Sequence, residues 1–539
     1  MTATAALAGG RHQATPASSS LTGVTALVRF AVRRDRIRLT VWVAALTLMM
    51  VYAPNGIKLA YPDEAQRQAR VNLLKTPAGI MLGGPMFGGD ETDLGVMMAN
   101  ELMLTLIVAA SILAILTAIR HTRAEEESGA AELVSSAVVG RHARTAATLI
   151  VIAATNLVLA ATMTFAMAAT GFAVRDTAAM CLGITAVATA FGACATVSAQ
   201  LWRQARTATA VSMAMLGCAV LVRGAGDVID NSGSPLSWFS PIAWAQQMRP
   251  FVALRWWPLA LLLALTAALA AAAVILESRR QYDDGILSSA GEHPHARPVG
   301  GVFGLKLVIH RGLTTGWAVG LLLAGAAFGS MTKSLLDAAR GNELLARVLS
   351  TQGTDGVYTT MTQFLAAATT AYVVSVVIGL SRDERSGIGE AVLSGAVSRW
   401  RWLLSALGAA LAGAAVLLAC AGLGNGLGAG LTLGEPVMVA RLTVAALAYL
   451  PAMAVVAGVA ALGAALRHPG IGWLAVTWVV VALYLGALLR LPRWLVDASS
   501  VSRTTAPSSI SVVTLSVLTV IAAGLVLGAG WLYRRRDVS

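Results

Sequence analysis

A chain of 539 residues that is 57% hydrophobic and only 12% charged carries more apolar surface than one water-soluble core can bury. Its apolar residues fall in runs of roughly 20, the length that crosses a bilayer, so the sequence predicts an all-α integral membrane protein. The net charge of +13 calls for no nucleic acid, because the Arg and Lys excess falls in segments that the topology below places on the cytoplasmic side.

In chain order, residues 1–20 are small and polar, without a short apolar core behind a basic start. They read as a disordered cytoplasmic tail rather than a cleaved signal. Residues 21–39 set Arg29, Arg33, Arg34, Arg36 and Arg38 among Leu27, Val28, Phe30, Ala31, Val32 and Ile37, which predicts an elbow helix lying along the inner membrane surface. Spans are expected near 40–54, 96–119, 146–173, 178–199, 207–222 and 258–276, followed by a polar inside linker over 277–305 that contains Arg279 and Arg280. A second set is expected near 314–330, 361–380, 403–427, 437–466, 471–489 and 510–533. These make about twelve transmembrane helices in two six-helix halves, 21–276 and 306–539, with both termini cytoplasmic in a multi-pass protein of the cell membrane. Since each half has an even number of spans, the halves form a parallel repeat. The 52 Gly fit close helix packing in lipid. Cys181, Cys194, Cys218 and Cys420 lie in apolar runs without metal-type spacing and read as buried, inert thiols.

The strongest sign of duplication is a charged segment after each second span. Residues 125–141 read EEESGAAELVSSAVVGR, and 258 positions later residues 383–399 read DERSGIGEAVLSGAVSR. Glu126, Ser128, Gly129, Glu132, Val134, Ser136, Val139 and Arg141 recur as Glu384, Ser386, Gly387, Glu390, Val392, Ser394, Val397 and Arg399. In the first copy Ala130, Leu133, Val134, Ala137 and Val138 share one helical face; Ile388, Ala391, Val392, Gly395 and Ala396 do so more weakly in the second. The plain alternative is a solvated loop whose charges keep it soluble. Duplication favours a matched pair of short cytoplasmic helices, because a loop needed only for solubility has no reason to keep the spacing of Glu126, Ser128, Gly129 and Glu132.

Catalytic and metal-binding signatures are missing from the sequence. None of the four lysines, Lys58, Lys75, Lys306 and Lys333, follows the Gly-rich lead of a phosphate-binding loop. HExxH, paired CxxC and GxSxG are absent too, so the chain is expected to be neither an enzyme nor a holder of a metal or cofactor. His293 and His295 form an HxH beside Pro294 and Pro298 that reads as solvated linker. Acids within the spans are few. Glu101, near the outer end of the second span, is the clearest, with helix packing as its plain reading and substrate or proton handling as its functional one.

The doubled segment, the basic stretch before each first span and the sequence SWFSPIAW over 237–244 resemble the membrane subunits of type-2 ABC exporters. In particular, they resemble the fused actinobacterial double permeases described as exporters of polyketide antibiotics, or tetronasin-type resistance permeases. In that family the segment after the second helix is a coupling helix docked on an ATP-binding subunit. The resemblance therefore implies partner-coupling roles for Glu125, Glu126, Gly129, Glu132 and Arg141, and for Glu384, Gly387, Glu390 and Arg399. It also implies ATP and Mg held by two copies of a separate subunit, and an amphipathic small-molecule substrate moved along a path near Glu101, Met213, Met215, Trp473 and Trp478. Methionine and tryptophan in membrane helices also serve as plain packing or interface residues. Where the family repeats a Ser-Pro turn like Ser240 and Pro241, the second half reads DASSVSRTTAPSS, so an asymmetric outer gate is expected. A proton- or sodium-driven twelve-helix secondary transporter would explain the duplication equally well.

Overall fold

The computed structural model describes residues 20–60, 63–64, 67–68, 71, 75, 79–80, 83–88, 93–135, 139–230, 233–280, 285–287, 301–333, 343–385, 387–395, 397–485, 492–503 and 510–535. Residues 1–19, the HxH of the linker and 504–509 of the second half lie outside that set. All regular structure among the described residues is helical. Eleven helices are long and apolar enough to cross a membrane, and a shorter apolar one covers Gly470–Leu483. The chain divides into two compact units.

The first unit begins with α1 (Val24–Ala60) and α2 (Leu94–His121), then two short helices, α3 (Arg123–Glu127) and α4 (Ala130–Ser135). It continues through α5 (Ala143–Ala168), α6 (Val174–Leu201), α7 (Ala205–Ile229), the one-turn helix α8 (Pro241–Gln246) and α9 (Trp257–Arg279). Asp93 starts α2 by accepting from the backbone N–H of Gly95 at 2.8 Å and of Val96 at 3.3 Å. The core is formed chiefly by α2 and α6, with Met98, Leu106, Ile107, Met180, Ile184 and Val187 all buried. Outer helices leave apolar faces open, as at Leu261, Leu263 and Ile275 of α9, where lipid is the natural solvent.

α1 departs from expectation. The elbow and the first span are one continuous helix of 37 residues, about 55 Å long against roughly 30 Å of hydrocarbon. No helix breaker interrupts the sequence before Pro54; Arg29, Arg33, Arg34 and Arg36 are exposed along it, whereas Asp35 among them is buried, its side chain only 2% exposed. A second correction concerns the thiols. Cys181 and Cys194 are buried and Cys420 half-buried, but Cys218 is exposed on α7, and all four are free. Its helix packs mainly along one side, so an apolar run did not imply burial inside protein.

The second unit contains α10 (Gly301–Ser330), α11 (Glu343–Arg385), the short α12 (Ile388–Leu393), α13 (Arg399–Leu433), α14 (Val437–Leu447) and α15 (Leu450–Ala465). It closes with α16 (Gly470–Val480), which runs into a π turn over Val481–Leu485, then α17 (Arg493–Val496) and α18 (Val512–Arg535). α10 and α13 touch backbone to backbone through glycines. A Cβ at Gly424 would strike the Leu322 carbonyl, one at Gly428 the Ala326 carbonyl, one at Gly325 the Ala421 carbonyl and one at Gly329 the Asn425 carbonyl. This is the small-residue packing that lipid favours, since apolar side chains gain nothing there by leaving solvent.

Candidate functional site

The two motif helices occupy equivalent positions in the sequence. α4 (Ala130–Ser135) and α12 (Ile388–Leu393) are each six residues long, and each is preceded by its matched glycine in the left-handed conformation, Gly129 at φ 73° and Gly387 at φ 76°. A Cβ at either glycine would meet no neighbouring atom within 4 Å, so backbone conformation alone selects glycine there. The helices are shorter than the spacing predicted. α12 ends at Leu393 with Ser394 as its C-cap, so Gly395 does not extend its apolar face; Ala396, and Ala137 and Val138 in the first copy, lie outside the described residues. Glu132 and Glu390 sit in the first turns of α4 and α12, where the helix dipole favours a carboxylate, and both are exposed.

The other matched residues turn toward the last span of their own half. Glu126 is buried and accepts from Arg280, just past α9, at 2.6 and 2.8 Å, from Arg144 of α5 at 2.5 Å and from Arg123 of its own helix. Its equivalent Glu384 accepts from the hydroxyl of Tyr533 near the end of α18. Arg141 donates to the Ser278 carbonyl at 2.5 Å, and its equivalent Arg399 donates to the Arg534 carbonyl at 3.1 Å. Helix ends carry orphan carbonyls and a negative dipole, which an arginine satisfies on both counts. Thus in each half one matched acid and one matched arginine of the repeat grip the sixth-span helix.

A third equivalence joins the motif to the first helix of each half. Glu125 pairs with Arg34 of α1 at 2.8 Å, and its counterpart Asp383 pairs with Lys306 of α10. In the first unit the contact widens into a network. Asp35 faces Arg120 at 3.0 Å and His121 Nε2 at 3.1 Å, while His121 Nδ1 lies 3.5 Å from Glu125. Glu127 accepts from the backbone N–H of Ala205, tying α3 to the start of α7.

Of the five residues expected along a substrate path, Glu101, Met213 and Met215 belong to the first unit and Trp473 and Trp478 to the second. Glu101 is half-buried on α2, Met213 packs against the first unit's core, and Met215 is exposed with its sulfur 3.6 Å from that of Cys194. Trp473 and Trp478 belong to α16 in the second unit, exposed and half-buried respectively.

Comparison with known proteins agrees with this architecture. The chain is 34% identical to the multidrug efflux system permease protein Rv1217c of Mycobacterium tuberculosis (strain ATCC 25618 / H37Rv), over 98% of this chain and 97% of that one. Residues 299–534 also match the family described as the multidrug efflux system permease Rv1217c, C-terminal domain. The chain belongs to this permease family. It is a multi-pass membrane permease.

Two features of the permease escaped the sequence reading. One is Asp35, hidden among the arginines of α1. The other is a buried pair near the C-terminal end of α7, Arg223 with Asp227 at 3.2 Å, in which Asp227 also accepts from the Ser237 hydroxyl at 2.6 Å. Arg223 and Asp227 are spaced i, i+4, a signal available in the sequence but common on solvated helices. The same loop holds the Ser-Pro turn, where Ser240 caps α8 at the Ile242 N–H and donates to the Ala219 carbonyl at 2.8 Å. Trp238 stacks on Trp257 with ring centroids 5.3 Å apart.

Proposed function

We propose that this permease is the transmembrane subunit of an ATP-driven exporter of amphipathic, drug-like compounds of polyketide or lipid character. Two copies of a separate ATP-binding subunit dock from the cytoplasm on α4 and α12. ATP and Mg belong to those partners, and this chain performs no catalysis of its own. The observation that carries the reading is the repeated cytoplasmic device: equal six-residue helices behind matched left-handed glycines, each offering one exposed first-turn acid, Glu132 or Glu390. Kinship with a multidrug efflux permease supports the export direction and the substrate class.

Force follows the ties already described. When ATP closes the partner subunits, displacement of α4 reaches α9 through Glu126 and Arg280, and displacement of α12 reaches α18 through Glu384 and Tyr533. ATP drives transport only if it favours one arrangement of the helices over the other, so these ties must hold while the helices move. Glu126 and Arg141, with Glu384 and Arg399, act in this scheme as internal ties, while Glu132 and Glu390 meet the partner.

The test is reconstitution. The chain co-purified with its ATP-binding subunit and placed in liposomes should show ATPase activity stimulated by an amphipathic dye, together with ATP-dependent movement of that dye. Dye export driven by a proton or sodium gradient, with no ATP-binding subunit present, would overturn the proposal in favour of a secondary transporter.

A further inference from the structure

We propose that the groove between the first turns of α1 and the cytoplasmic part of α5 binds one anionic phospholipid of the inner leaflet. The groove has a volume of about 410 Å³, within the range of small-molecule sites. Val24, Val28, Val32 and Ile150 wall it, and Thr25, Arg29 and Arg33 stand at its rim. Its walls are apolar and open: Val32 is 42% and Ile150 45% exposed. At the cytoplasmic end of a membrane helix, such a surface is covered by an acyl chain at no polar cost.

The rim decides which lipid. Arg29 and Arg33 are both exposed, lie one helical turn apart and make no ion pair with a described residue. Like charges at that spacing repel, and an anion between them removes the repulsion. The nearby acids are occupied, Asp35 by Arg38, Arg120 and His121, and Glu125 by Arg34. The chain's own N-terminal residues 1–19 cannot supply the anion, since they contain Arg11 and no acid. A phosphodiester above an acyl chain satisfies both parts of the site, and basic pockets between helices on the cytoplasmic side suit such headgroups. The groove also has a fixed floor. Val28 packs against Ala31, Leu113 and Val151, and the chain before α1 is pinned by backbone bonds from Gly140 to Thr22 and from His142 to Ser20.

Native mass spectrometry of the full chain in detergent, titrated with phosphatidylglycerol or with phosphatidylcholine of the same acyl chains, tests the site. One phosphatidylglycerol should bind preferentially. The double variant R29A/R33A should weaken it roughly thirtyfold, at about fivefold per arginine near an anionic headgroup, whereas Arg311→Ala on α10 should leave it unchanged. Filling the groove with Ile150→Trp or Val32→Trp, in proteins that keep the native elution volume, should also remove the bound lipid. Equal binding of the two lipids, insensitivity to R29A/R33A, or competition by millimolar inorganic phosphate as effective as by lipid would overturn the proposal. So would loss in the arginine variant with full binding in both groove-filling variants, which would leave only diffuse surface charge.

Discussion

Arg280 closes on Glu126 with both arms of its guanidinium, Nη1 to Oε2 at 2.8 Å and Nη2 to Oε1 at 2.6 Å, between groups 154 residues apart in sequence. The planar fork matches a carboxylate in a way a lysine cannot. Arg123 and Arg144 meet the same carboxylate, so one acid holds together α3, α5 and the end of α9.

Removing that acid takes the Glu126 carboxylate away from three buried or half-buried arginines. Glu126→Ala is therefore expected to destabilise the protein by about 3–5 kcal/mol, the usual cost of breaking a buried pair from one side. Thermal unfolding in detergent should show a clear fall for Glu126→Ala and for Arg280→Ala. The double variant should lose less than the sum of the two, because the residues share one interaction. Independent, additive losses would mean that the fork contributes little.

Exposed acids should behave differently. Glu132→Lys and Glu390→Lys remove no side-chain contact among the described residues and reverse one exposed first-turn charge, so each should change stability by only about 1 kcal/mol. On the proposed function, each should weaken retention of the ATP-binding subunit in a pull-down and lower dye-stimulated ATPase activity. A large drop in melting temperature in both variants, with coupling intact, would show that the duplicated helices are structural.

The matched glycines offer a graded test. At φ 73° and 76° a side chain is strained although space is free, so Gly129→Ala and Gly387→Ala should each cost about 1–2 kcal/mol. Asn tolerates the left-handed region better. Gly129→Asn should therefore lie between wild type and Gly129→Val in melting temperature and in coupled ATPase activity. An equal effect of Ala, Asn and Val would argue against a backbone origin.

The α10–α13 contact predicts a sterically dominated series. At Gly424 and Gly428 even an alanine Cβ strikes a carbonyl of the facing helix, so Gly424→Ala and Gly428→Ala should lower stability by about 1–3 kcal/mol, the range for overpacking, and Leu by more. Gly524→Ala on α18, where a Cβ meets nothing within 4 Å, is the neutral control. Melting curves of the purified variants decide the order.

The Arg223–Asp227 pair should also be sensitive. Asp227→Ala removes both the carboxylate paired with the fully buried Arg223 and the acceptor of the Ser237 hydroxyl, and about 3–5 kcal/mol of destabilisation is expected. Limited proteolysis of the purified protein should then cut the loop between α7 and α8 faster, because Ser237 loses its bond to Asp227. Unchanged cleavage would show that the loop is held by the Trp238–Trp257 stack instead.

Much of this permease follows from sequence alone, for reasons that act along the chain. Apolar run length determines that the helices cross a membrane, and a repeat offset of 258 residues places the two short helices at the same relative bounds. The elbow and the first span are one helix because a run of arginines sets charge, not helix termination, and nothing between Val24 and Pro54 breaks the helix. Only tertiary structure decided which of the repeated residues face outward. Glu126 and Glu132 are equally acidic and equally repeated, yet one is buried by Arg144 and Arg280 and the other is exposed. The direction a charge faces depends on partners supplied by distant helices, and the spacing of residues along one segment does not contain that information.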